Sequence, residues 1–261
     1  MTAAVAVLLT ACGATTQPSD VATNPVVRGG GTASPSATPT PGSSGVRTVL
    51  APLGLNIHAS AQLSATVLGT AAQGVTLSVL DHTAQGGGWF KVQGQTVTGW
   101  IVADPTLTAD GQFTAYQSST RNFNALYPQT WTFAEQPTAA VFYPMAGVQS
   151  IVVRNGALAS DFGPVGGTGY VGTGEQTVVV CGVTANLDLY DHVGTPPPAP
   201  SAGVAGPLPL LAQLRLRLDA THAMSLDFNY TASADLGVFN DFYNSMTFPY
   251  PQCEKPAPSP T

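Results

Sequence analysis

Residues able to do chemistry are few in this chain and mostly far apart. Cys12, Cys181 and Cys253 form no C-x-x-C pair, and His58, His82, His192 and His222 are scattered without ligand spacing, so no metal site is expected. Gly167-Thr168-Gly169-Tyr170-Val171-Gly172 satisfies G-x-G-x-x-G. That pattern brings backbone to a pyrophosphate only between a strand and a helix. A β-rich run follows it directly here, which predicts a glycine-rich loop between strands. Asp188 and Asp191 flank Tyr190 beside His192, and Asp81 precedes His82. A carboxylate beside an imidazole is a pairing that acid–base catalysis uses. The first pair reads better as a solvated loop after a strand, and the second as a hairpin turn. Glu135, Glu175 and Glu254 are the only glutamates, and most aspartates fall in turn contexts, so no carboxylate pair for glycoside hydrolysis can be placed. Neither a Walker A run nor G-x-S-x-G occurs. No catalytic residue, metal or cofactor is therefore assigned.

Cys12 has the most distinctive context. Residues 3–11 are apolar but fall short of the roughly 20 residues that span a bilayer. They suit the short apolar region of a signal peptide. The run ends Leu9-Thr10-Ala11-Cys12-Gly13. An aliphatic residue, two small residues and a cysteine resemble the lipobox of bacterial lipoproteins, where the thiol takes up diacylglycerol before cleavage. The resemblance implies a signal peptide over 1–12, lipid on Cys12 and anchoring at the extracytoplasmic face of the cell membrane. One feature departs from it: no Lys or Arg precedes Arg28. Residues 13–46 are mostly Thr, Ser, Pro, Ala and Gly with almost no large apolar side chains. Such a stretch cannot offset its ordering entropy, and it reads as a disordered tether. In an exported, oxidising setting Cys181 and Cys253 are expected to form a disulfide; two separate buried thiols are the alternative.

The overall balance narrows the partners. Charged residues make up 8% of the chain and the formal charge is −6. Lys91 and Lys255 are the only lysines, and no basic cluster exists to neutralise phosphates, which excludes nucleic acid. The same shortage argues against charge-driven binding to an acidic membrane surface. With 28 glycines and 22 prolines, short strands and many turns are expected.

Short strands are predicted near 47–50, 55–59, 67–71, 76–80, 89–92 and 97–102, a small all-β barrel over residues 47–107. Leu55-Asn56-Ile57, Val67-Leu68-Gly69, Gly74, Trp89 and Gly99-Trp100-Ile101 resemble the bacterial SH3-like (SH3b) family nearly end to end. His58 stands where Arg is usual, and Ala59-Ser60-Ala61 replaces the usual Ser-Gly-Pro, so the first loop departs from the family's. The resemblance implies binding or spacing rather than catalysis, with cell-wall peptide as one ligand. Asn56, Trp89, Phe90 and Trp100 are the candidate ligand-binding residues, the aromatics forming a groove of flat apolar faces. The competing reading is that the aromatics fill the barrel core.

Residues 112–255 are predicted to form an α+β domain with an antiparallel sheet and a C-terminal helix, and 256–261 a disordered tail. Tyr127-Pro128-Gln129-Thr130-Trp131 resembles the Tyr-Pro-x-x-Trp opening of the PsbP-like superfamily. Strands are expected at 139–143, 148–153, 175–183, within 208–218 and at 223–230. Leu236, Phe239, Phe242, Tyr243 and Met246 recur at helical spacing over 235–248, with Ser233 or Asp235 as N-cap. Residues 155–174 and the proline-rich 193–206 read as long loops. The whole is expected to be a multi-domain envelope lipoprotein acting as a non-catalytic binding module toward peptidoglycan or an envelope protein. A cell-wall hydrolase, or its accessory, with an unrecognised active site is the alternative, and a structural scaffold a third.

Overall fold

The computed structural model of the protein describes residues 45–118, 120–156, 169–195, 206–250 and 253. Cys12, the tether up to residue 44, most of the proline-rich loop and the tail 256–261 lie outside the described residues. Among the described residues no helix is long and apolar enough to cross a membrane.

The first antiparallel sheet contains β1 (Val46–Val49), β2 (Leu55–His58), β3 (Val67–Ala71), β4 (Thr76–Thr83), β5 (Trp89–Gln93), β6 (Thr98–Val102) and β7 (Thr108–Asp110), in the order β3-β2-β6-β5-β4-β1-β7. Period-two alternation sorts its side chains. Leu55, Ile57, Leu77, Phe90, Val92 and Ile101 turn inward to a common core, while Asn56 points out. β4 outruns its expected end at residue 80, because a bulge between Val79 and Asp81 bends it along β5. Asp81 and His82 therefore lie within a strand, not at the predicted hairpin turn. That turn is made further on, at Gln85–Gly87, where Gly86, Gly87 and Gly88 take φ of 58°, 94° and 95°.

β8 (Phe113–Ser118) and β9 (Phe123–Pro128) pair as a hairpin. A second seven-stranded antiparallel sheet follows: β10 (Trp131–Glu135), β11 (Ala139–Pro144), β12 (Ser150–Gly156), β13 (Tyr170–Val180), β14 (Val183–His192), β15 (Leu210–Arg217) and β16 (Ala223–Tyr230), ordered β10-β11-β12-β16-β15-β14-β13. The helix α1 (Leu236–Asn244) packs on one face. Its buried Phe239, Phe242 and Tyr243 meet Phe142, Leu214, Leu226 and Phe228 in the larger core, with Phe142–Phe242 ring centroids 4.8 Å apart. Asp235 is the N-cap, as one of the two predicted positions, but its carboxylate bonds back to the Ala232 N–H rather than into the helix.

The strand predicted at 175–183 is a hairpin, because Cys181 and Gly182 turn the chain with φ of 47° and 77°. Asp188, Tyr190, Asp191 and His192 consequently lie in β14, not in a solvated loop. The α+β expectation reduces to a mostly β fold with one α-helix among the described residues. Of the glycine pattern at 167–172, Tyr170–Gly172 lies inside β13 and no helix follows, while 167 and 168 are outside the described residues.

The two sheets meet in one compact unit. Leu50 and Ala109 of the first region bury against Leu126 of β9. Gln73 Nε2 donates to Leu50 O at 2.8 Å and to Ser245 O at 2.7 Å, tying the barrel to the end of α1. Ser245 itself is fixed by Leu126 N–H, which donates to its Oγ at 2.8 Å.

Candidate functional site

The barrel's outer surface is built on the register of β3, β2, β6 and β5. Val67 pairs with His58, His58 with Trp100, and Trp100 with Lys91. Directly opposed residues share a face, so this row crosses the sheet on the side away from Ile57, Ile101 and Val92. Thr70 and Asn56 form the neighbouring pair, with Thr70 Oγ1 donating to Asn56 Oδ1 at 3.0 Å. β2 and β6 can approach closely because Gly99 has no side chain. A Cβ there would stand 2.6 Å from His58 O and 2.6 Å from Ile57 Cγ2. The Gly-Trp pair thus divides its labour: glycine for the crossing, tryptophan for the surface.

The structure separates the predicted ligand-binding residues into two sets. Asn56 is exposed and Trp100 half-buried on the outer face. Trp89 and Phe90 are only 2% and 4% exposed, so they offer no open aromatic face, and the predicted groove is not formed by these three rings. Phe90 belongs to the barrel core and lies 4.2 Å beneath the Arg47 guanidinium. Trp89 points to the outer side but is covered, its ring edge-on to His58 at 5.5 Å. His58 explains the altered first loop: its Nδ1 lies 3.1 Å from Ala65 O, while Ala59 N–H donates to Thr66 O at 2.9 Å. In place of an aromatic groove, Trp100 shares its row of the outer face with Val67, which is 47% exposed; Leu68 and Leu63 are exposed as well, at 46% and 63%. Sequence reading missed these three aliphatics. Val67 and Leu68 belong to the family-like Val-Leu-Gly run, but only the edge position of β3 leaves them uncovered.

Asp188 pairs with Arg215, not with His192, whose ring instead lies edge-on to Tyr170 at 5.1 Å. Asp219 and His222 are 2.7 Å apart in the β15–β16 turn. Hydrogen bonds from the backbone of Thr221 and from His222 hold Asp219 well below the usual carboxylate range, the signature of a self-bonded turn. Tyr116 donates to Glu135, which also accepts from Arg121 Nε at 2.7 Å. Burial raises Tyr116 to about 12, reinforced by Glu135. Burial also raises Glu135, but the bonds from Tyr116 and Arg121 outweigh it and leave the acid below its ordinary value. This trio clamps β8 to β10. No group of three His, Cys, Asp or Glu able to hold a metal occurs among the described residues. Cys181 and Cys253 do form a disulfide, with Cα atoms 4.9 Å apart.

Residues 53–104 match the Bacterial SH3 domain family. Among solved structures, the solution structure of cyanobacterial PsbP (CyanoP) from Synechocystis sp. PCC 6803 is similar over 52% of this chain and 92% of its own, at 13% identity and a TM-score of 0.36. A protein of Bacteroides thetaiotaomicron is similar over 52% of this chain and 48% of its own, at 9% identity and a TM-score of 0.28. No curated protein matches the chain.

Proposed function

We propose that the chain is a lipid-anchored protein of the extracytoplasmic membrane face, and that its SH3 barrel is a non-catalytic binding module for cell-wall peptide or an envelope protein. The observation that carries this reading is the match of residues 53–104 to the Bacterial SH3 domain, on a barrel whose outer face carries half-buried Trp100 in one row with exposed Val67. Leu9-Thr10-Ala11-Cys12 supports the anchor. The Cys181–Cys253 disulfide suits an oxidising compartment. In this reading residues 1–12 are the signal peptide, 13–46 the tether, 47–107 the binding module and 112–255 a second domain.

Incubation of the Cys12→Ser protein with purified peptidoglycan tests the module. The protein is expected to sediment with the wall without releasing soluble muropeptides. Trp100→Ala is expected to weaken sedimentation about tenfold or more, as loss of a central aromatic anchor does. Release of soluble fragments would replace this reading with a hydrolase. The anchor has its own measurement: Cys12→Ala is expected to abolish labelling by a fatty-acid probe and free the protein into the medium. Undiminished labelling would refute lipidation at that residue.

A further inference from the structure

A cleft unused by anything above opens in the second region, where the start of β10, the turn after β11 and the approach to α1 meet. Its volume is about 360 Å³, near the lower end of the roughly 300–1,000 Å³ of small-ligand sites. Trp131 and Pro144, register partners across β10 and β11, contribute to its lining with Ala234 and Val238. Gln149 and Asp235 supply its polar groups.

Those polar groups are held in place. Gln149 Nε2 donates to Asp235 Oδ2 at 3.4 Å. The same oxygen accepts from Ala232 N–H at 3.0 Å and from Thr231 N–H and Oγ1 at 3.3 Å. Gly147, at φ +149°, packs against two of the lining residues: a Cβ there would lie 2.8 Å from Gln149 Oε1 and 2.8 Å from Pro144 Cγ. The bare backbone thus sits against the carboxamide and the proline ring together. Gln149 Oε1 and Asp235 Oδ1 make no hydrogen bond among the described residues, leaving two acceptors beside a half-buried indole.

We infer that this cleft binds a neutral hexopyranose unit of a carbohydrate. A sugar ring has an apolar C–H face, which suits a flat indole and a proline, and a rim of hydroxyls that donate to neighbouring carboxylate and carboxamide oxygens. An anion is disfavoured because Asp235 is negative and no Lys or Arg lines the cleft. A cation is a poorer fit, since the only carboxylate already spends one oxygen on four donors. The site involves no barrel residue and stands apart from the role proposed for Trp100.

Calorimetric titration of the whole protein with the neutral tetramers of N-acetylglucosamine and of glucose tests the inference. At least one is expected to bind saturably at or below about 10 mM. Gln149→Ala is expected to weaken that binding about tenfold, Trp131→Phe is expected to weaken it less, and Trp100→Ala is expected to leave it unchanged. Trp131→Phe preserves an aromatic ring against the core, and near-ultraviolet circular dichroism confirms that each variant is folded. Absence of binding by both tetramers overturns the inference, and so does unaltered affinity in folded Gln149→Ala and Trp131→Phe. Failure of the peptidoglycan sedimentation with success of this titration removes the barrel reading alone.

Discussion

At the scale of single residues, sequence motifs combine positions with opposite tasks. Gly99 and Trp100 are adjacent, yet one faces a 2.6 Å approach of β2 and the other the outer surface. Gly99→Ala is expected to destabilise the protein by about 1–3 kcal/mol, the usual cost of forcing a methyl into packed backbone. Urea denaturation measures it as a lower midpoint with an unchanged slope. Trp89 shows where local reading stops. Alternation puts it on the outer side of β5 with Lys91, opposite Phe90 and Val92. It is buried all the same, because His58 and the turn at Gln85–Gly87 lie against it, with the Cβ position of Gly86 3.6 Å from its Nε1. Nothing in the spacing of residues 89–92 announces those neighbours.

At the scale of elements, the apolar pattern located most strands and the helix, and misplaced a few ends for identifiable reasons. The stretch 175–183 reads as one strand because Val178 to Val183 is apolar without a Pro or an Asn-Gly or Asp-Gly pair. The turn falls instead on Cys181-Gly182, with both residues at positive φ, the conformation that two-residue hairpins need. Folding that run back produces β13 and β14 and sets Cys181 at a hairpin tip, within reach of the segment after α1. The disulfide then closes a loop with a sequence separation of 72; in the chain-entropy model a loop of that length contributes about 4 kcal/mol. Arg215 lies between Leu214 and Leu216, which bury in the core under the helix, and so faces the other way. There it pairs with Asp188 across β14, while Arg154, Gln213 and Ser225 engage Asp227. The ladder of partners required the strand order, which no local pattern contains.

At the scale of the whole molecule, the barrel and the second region are coupled by polar as well as apolar contacts. Arg47 of β1 is 9% exposed, bonds Asp110 at 3.0 Å and lies over Phe90. Burial lowers its pKa, opposed by Asp110 and by Asp241 of α1. Asp241 is raised to about 7, first by burial and then by Asp110, against the pull of Arg47. A carboxyl whose folded pKa exceeds its ordinary 3.8 binds more protons in the folded state, so its contribution to stability is complete at low pH and is lost as pH rises from about 4 to about 7. Asp241→Asn is therefore expected to raise stability at pH 8 by on the order of 1–3 kcal/mol, and to change it little at pH 4. Thermal unfolding at the two pH values checks this. An equal shift at both would mean that the carboxyl's charge is not the cause.

The amino-acid sequence alone determined what depends on neighbours along the chain: the barrel strands, the C-terminal helix, the scarcity of charge, and the resemblance that the match over residues 53–104 bears out. Tertiary structure decided which aromatic side chains stay open, that Cys181 meets Cys253, and that Trp131, Gln149 and Asp235 border one cleft. The physical reason is separation along the chain. Alternation and turn chemistry act over a few residues, whereas burial and convergence depend on elements tens of residues apart, whose contacts are set by how the sheets and α1 close their cores.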